Sequence, residues 1–206
     1  AIRNMVTSCY GCAGQRCMAS SAIVAVGDET YRAVLDRFVA ASRQVLVADP
    51  LDPRYADEAM LVGPVISARH RQFVLDRIAE GVAEGATLAL DGRGLQVEGR
   101  PGGHFVGPTV LADVRPGMKC QQTEIFGPVV VLMKAATFEE AISIVNDHPY
   151  GNGASLYTQS GHWARRFKLE ARAGMLGINV GIPAPVAYLP FGGTKASAFA
   201  DIKAQG

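Results

Sequence analysis

Apolar residues recur at helical spacing from the start of the chain. Ile2, Met5, Val6 and Cys9 share one face, which predicts a helix already under way with no capping residue ahead of it. The run Ile23, Val24, Ala25, Val26 is rich in β-branched residues and is stopped by Gly27 and Asp28, as expected of a buried strand. Asp28 is then expected to cap a helix that lays Tyr31, Val34, Leu35, Phe38 and Val39 on a core. A short strand at Val45, Leu46 and Val47 leads into the rigid Asp49-Pro50-Leu51-Asp52-Pro53 turn, where each proline fixes φ and lacks a donor. Ser67 opens a second amphipathic helix carrying Phe73, Val74, Ile78 and Val82 inward and ending near Gly85.

Strands are next expected at residues 87–90 and 105–114, separated by a glycine-rich surface excursion at 91–103, and again at 129–133. Thr137 and Glu140 form a capping box for a helix with Ala141, Ile142 and Val145 inward. Strands at 154–158 and 175–180 flank a helix bearing Trp163, Ala164 and Phe167. This alternation predicts an α/β fold with a largely parallel sheet flanked by helices and right-handed crossovers, in one domain over residues 1–206. The helical pattern running into residue 1, and the glycine- and alanine-rich tail at 190–206 with no stop signal, lead us to expect a piece cut from a longer chain at both ends.

Composition narrows the function classes. A hydrophobic fraction of 49% supports a packed core, and a net charge of +1 without a block of like charge argues against a nucleic-acid or anionic-membrane partner. No apolar run approaches the ~20 residues that span a bilayer, so a soluble, cytoplasmic protein is expected. Cys9, Cys12 and Cys17 cluster near the start and Cys120 lies far downstream, which is no disulfide framework. Cys9-x-x-Cys12 lacks the second ligand pair of a zinc site and is read as two small helix residues, with no metal expected.

Cys17 is the sharpest chemical candidate. Gly14 permits a tight backbone path, Arg16 favours a thiolate, and a backbone N–H at the nucleophile could meet a tetrahedral oxyanion. A lone cysteine in such a domain is nevertheless more often inert and buried. The segment Glu124-Ile125-Phe126-Gly127-Pro128 adds an acid, an aromatic and a rigid turn just before a buried strand. Such a carboxylate could accept both hydrogen bonds of a ribose diol, and the ring could pack on a nicotinamide or an apolar substrate; alternatively the segment is a turn with a solvated Glu and a core Phe.

Together, Gly14-Gln15-Arg16-Cys17 and Glu124-x-Phe126-Gly127-Pro128 resemble the nucleophile and cofactor motifs of the aldehyde dehydrogenase superfamily. Two weaker matches follow, Asn146 with Pro149-Tyr150-Gly151-Asn152-Gly153 and Pro190-Phe191-Gly192-Gly193-Thr194-Lys195. Within the superfamily, Gly14 to Ala19, Tyr150 to Gly153 and Gly177 to Val186 look most similar to an acylating branch that acts on (methyl)malonate-type semialdehydes with coenzyme A. The resemblance implies that Cys17 attacks the aldehyde, that NAD accepts the hydride, and that coenzyme A resolves the thioester. It further implies that Glu124 binds the nicotinamide ribose with Phe126 near the ring.

An arginine beside the nucleophile suits a substrate carboxylate. Arg16 is therefore a candidate for substrate binding, or else pairs with a structural acid or packs along its stem. Asn179 and Phe191 either line the substrate tunnel or hold a loop. The superfamily's dinucleotide-binding domain and its C-terminal strand for oligomer formation are absent from this stretch, which has no Gly-x-Gly-x-x-Gly on a strand-to-helix turn. The full-length protein is expected to be a dimer or tetramer, and the isolated domain inactive. A non-acylating NAD(P)-dependent aldehyde dehydrogenase and a non-catalytic remnant domain are the alternatives.

Overall fold

Segments too apolar to face water on either side form the centre of the computed structural model, which describes residues 1–184 and 188–199. In chain order the elements begin with α1 (Ile2–Tyr10), β1 (Ala22–Val26), α2 (Asp28–Ser42), β2 (Leu46–Val47), β3 (Leu61–Val62), α3 (Ala68–Ala83), β4 (Thr87–Leu90) and β5 (Thr109–Ala112). They continue with α4 (Lys119–Gln122), β6 (Val129–Ala135), α5 (Phe138–Asp147), β7 (Tyr150–Gly151), β8 (Gly153–Leu156), α6 (Gly161–Glu170), β9 (Met175–Ile178) and β10 (Thr194–Lys195).

The main sheet runs in the order β1-β6-β5-β4. β6 pairs in parallel with both β1 and β5, as the strand-helix alternation predicts. β4 departs from that expectation by running antiparallel to β5. The glycine-rich excursion between them contains no crossover helix, and antiparallel strands need none. Three small sheets accompany the main one: parallel β2-β3, parallel β8-β9 and antiparallel β7-β10.

Side chains alternate across β5 and β6, so the two strands feed two cores. Val110 and Val130 pack with Val6, Cys9, Tyr10 and Phe38 of α1 and α2. Leu111, Val129, Val131 and Met133 pack with Val74 and Ile78 of α3. A separate cluster joins α5 and α6 through Phe138, Ile142 and Phe167, and β8 and β9 close it with Leu156 and Leu176. Asn146 staples that unit. Its Nδ2 donates to Glu170 O at 2.9 Å and its Oδ1 accepts from Arg172 N at 2.7 Å.

Local signals set most boundaries. Ser67 Oγ accepts from His70 N at 3.1 Å, and Thr137 Oγ1 accepts from Glu140 N at 3.2 Å. α3 ends in a Schellman motif, with Gly85 at φ 98° and bonds from Gly85 N to Val82 O and from Ala86 N to Gly81 O. Three details differ from the pattern. Asp28 is the first helical residue, not the cap, which is Gly27; the Asp28 carboxylate pairs with Lys134 of β6 at 2.8 Å. Val82 faces outward, and Gly81 is the buried residue beside it, at a position where a Cβ would crowd Leu111 and Cys120. Only Thr109–Ala112 pairs within the longer run expected as a strand, although Phe105 and Val106 are buried. Pro185, Val186 and residues 200–206, part of the patterns read above, lie outside the described residues.

Among the described residues no helix is long and apolar enough to cross a membrane. Ser67→Ala removes one cap acceptor and is expected to cost about 1 kcal/mol, read as a lower urea midpoint at constant m.

Candidate active site

α1 delivers the chain to its most strained turn. Cys12 (φ 54°, ψ 34°), Ala13 (φ 56°, ψ 30°) and Gly14 (φ 68°) adopt left-handed backbone in succession. For Cys12 and Ala13, which carry a Cβ, this costs roughly 1–2 kcal/mol each. The surroundings hold the turn. Ala13 is buried, Gln15 N donates to Cys12 O at 3.0 Å, and Gly14 lies against Gly127 so closely that a Cβ would overlap the Gly127 carbonyl oxygen.

Gln15 and Arg16 then anchor the chain on both sides of its next bend. Gln15 Oε1 accepts from Ile66 N at 2.9 Å, tying the turn to the segment that enters α3. Arg16 Nη2 donates to Thr7 O and Ser8 O, each at 3.0 Å. The guanidinium thus helps to cap the end of α1, where Thr7 O also accepts from the Gly11 N–H. Beyond the bend, Ala19 N donates to Arg16 O at 3.1 Å and Ser20 N to Ser8 O at 3.1 Å. Cys17 sits exposed between these anchors, and its carbonyl accepts from Asn152 Nδ2 at 3.3 Å.

The other cysteines occupy different environments. Cys9 is buried on α1, and burial pushes its thiol up to about 12. Cys120 is buried and likewise raised. Cys12 is exposed but lies beyond α1 in the left-handed turn, so Cys9 and Cys12 are not two residues of one helix as the spacing suggested. All four are free thiols. Among the described residues no group of three or more His, Cys, Asp or Glu could hold a metal ion.

The loop before β6 meets the cysteine turn through glycine. Glu124 is exposed, Ile125 is locked into the core, and Phe126 adopts φ 53° and is 39% exposed as a residue, so the aromatic is not the core residue of the alternative reading. His70 Nε2 bonds Phe126 O at 2.8 Å; a carbonyl only accepts, so that nitrogen carries the proton. One helical turn on, Val74 presses on Gly127, where a Cβ would come within 2.8 Å of its Cγ2. Helix α3 therefore supports the loop at two successive residues, and Gly127 is clasped between Val74 and Gly14.

Asn179 holds a loop. At φ 58° its Nδ2 donates to Thr158 O at 2.9 Å and its Oδ1 accepts from Thr158 N at 3.0 Å, which commits the amide to the backbone. Phe191 is half-buried in the segment returning to β10. Sequence reasoning missed the His70 and Asn152 contacts, since both partners are main-chain carbonyls that leave no residue-type signature. The Arg16 bonds to α1 were hidden for the same reason.

An exposed thiol on a strained turn thus rests on a Glu-x-Phe-Gly-Pro loop, the two motifs that resemble those of aldehyde dehydrogenases. The chain belongs to the aldehyde dehydrogenase family, whose model matches residues 1–206. It is 42% identical over its whole length to malonate-semialdehyde dehydrogenase 1 of Geobacillus kaustophilus, covering 41% of that protein. It is 44% identical over 96% of its length to an acylating, mitochondrial methylmalonate-semialdehyde dehydrogenase of Arabidopsis thaliana, covering 31% of that protein. A solved Mycobacterium tuberculosis aldehyde dehydrogenase complexed with NAD+ superposes with a TM-score of 0.85 at 36% identity, over 96% of this chain and 39% of that one. The chain thus spans well under half the length of these relatives.

Two substitutions separate strain from fit in the turn. Cys12→Gly relieves left-handed backbone and is expected to raise stability by up to about 1 kcal/mol. Gly14→Ala is expected to lower it by about 2 kcal/mol or more, because the new methyl meets a carbonyl that cannot move freely. Urea unfolding of both variants checks the opposite signs.

Proposed function

We propose that this chain is the nucleophile-bearing catalytic domain of a coenzyme A-acylating semialdehyde dehydrogenase acting on a malonate- or methylmalonate-type semialdehyde. The carrying observation is the placement of Cys17, exposed on a pinned turn that rests on the Glu124 to Pro128 loop, while Cys9 and Cys120 are buried. The names of the relatives support the substrate class and the acylating chemistry.

In this reading the Cys17 thiolate attacks the aldehyde carbon, and loss of hydride from the adduct leaves a thioester on the sulfur. NAD, when bound, accepts that hydride. An exposed carboxylate at Glu124 suits a ribose diol, and the open face of Phe126 suits an aromatic ring, so the donor set fits the cofactor. The thiol of coenzyme A, losing its proton to solvent, then attacks the thioester carbonyl, and collapse releases acyl-coenzyme A and returns the Cys17 thiolate.

Arg16 uses Nη2 for both bonds to α1, leaving Nη1 as the donor toward a substrate carboxylate. Phe191 lines the aldehyde's path, whereas Asn179 contributes by fixing the loop after β9. The complete enzyme adds an NAD-binding domain and a C-terminal oligomerisation strand, works as a cytoplasmic homodimer or homotetramer, and takes neither nucleic acid nor membrane as partner. The separate domain by itself is inactive.

The test is NADH formation from malonate semialdehyde by the complete enzyme, with and without coenzyme A. Turnover is expected to require coenzyme A and to fall by roughly three orders of magnitude or more in Cys17→Ala. Full turnover without coenzyme A would assign the chain to hydrolysing aldehyde dehydrogenases instead. In the present chain, a limiting alkylating reagent followed by peptide mass spectrometry is expected to mark Cys17 ahead of Cys12. Equal labelling of the two would remove the special standing of Cys17.

A further inference from the structure

Asn152 belongs to a motif that stands out in the sequence, yet neither the fold nor the proposed chemistry gives its side chain a task. Its carbonyl accepts from Met175 N at 3.0 Å, which fixes the residue at the junction of β7 and β8. The side chain then leaves the sheet. Nδ2 donates to Cys17 O at 3.3 Å, while Oδ1 lies beside Gly193, where a Cβ would come to 2.5 Å from it.

The following residue completes the contact. A Cβ at Gly153 would meet Met18 Cε at 2.7 Å and Pro183 Cγ at 2.8 Å, so the missing side chain is the space that Met18 fills. Two consecutive residues at the start of β8 thereby receive two consecutive residues of the cysteine turn. The chemistry required of the first is donation, because a carbonyl can only accept. Leucine in place of Asn152 would leave the carbonyl unpaired, and aspartate would set an anion against it.

We propose that Asn152 is a positioning residue for the Cys17 nucleophile: its amide fixes the Cys17 carbonyl, and with it the direction of the Cα–Cβ bond that aims the sulfur. The other anchors of the turn lie on residues before and after Cys17 and reach α1, the entry to α3 and, from Ser20 Oγ, Gly181 O after β9. Asn152 grips the nucleophilic residue itself from the opposite side, through the β8-β9 unit. This rests on the reading of Cys17 as the attacking thiol.

Two measurements on Asn152→Leu and Asn152→Asp test the assignment. In the complete enzyme, the pre-steady-state burst of NADH reports acylation of Cys17. It is expected to slow roughly ten- to hundredfold, the scale of a small misalignment of reacting atoms, with the KM for NAD held within about twofold. In the present chain, hydrogen-deuterium exchange is expected to quicken at residues 16–20 and to stay unchanged in the main sheet. An unaltered burst overturns the proposal, as does faster exchange throughout the chain or a KM for NAD that rises in step with the loss of rate, both of which mark general packing. A burst that survives in Cys17→Ala overturns the nucleophile reading and this proposal with it, while an exchange change confined to 16–20 would still establish the contact.

Discussion

The contact between Gly14 and Gly127 is the constraint on which the arrangement depends. Neither residue can carry a side chain, since a Cβ on Gly14 overlaps the Gly127 carbonyl oxygen and a Cβ on Gly127 runs into Val74. Two loops from distant parts of the chain therefore meet backbone to backbone, closer than any pair of side chains would allow. Around this point α3 supplies a platform: His70 and Val74 steady the loop before β6, and the segment entering the helix binds Gln15. The thiol and the exposed carboxylate and ring inherit a fixed relation from that packing, with no direct bond between them.

The left-handed turn ahead of Cys17 follows from the same contact. To bring Gly14 against Gly127 at the end of α1, the chain must reverse its twist within Cys12, Ala13 and Gly14. Only one of the three is the residue type that accepts this conformation freely. The strain is offset by burial of Ala13 and by the bonds of Gln15 and Arg16 on either side. Strained backbone next to a nucleophile is a recurrent feature of functional sites, where surrounding structure over-determines the conformation.

Much of this was legible in the sequence, for identifiable reasons. The unbroken apolar runs behind β5 and β6, the caps at Ser67 and Thr137, and the glycine ending α3 are local signals, and the elements form within the segments those signals mark. The antiparallel setting of β4 was not legible, because an excursion without helix or tight-turn signature fixes no strand direction. The motifs marked Cys17, Glu124 and Phe126, but the bonds that hold them are made to main-chain carbonyls, at Phe126 O, Cys17 O and the last turn of α1. Such acceptors exist at every residue, so nothing in the amino-acid types announces which of them will be used.

The capping of α1 by Arg16 reaches into how this protein can change. A guanidinium whose Nη2 bonds two carbonyls at the end of α1 while its Nε is buried has its place set by folding. Lysine could offer the two carbonyls an ammonium, but not the rigid planar head that holds Nη2 against both. A lineage that lost the arginine would have to rebuild the end of α1. The residue before Cys17 is thus fixed by architecture, and resists gradual loss whatever selection acts on the chemistry.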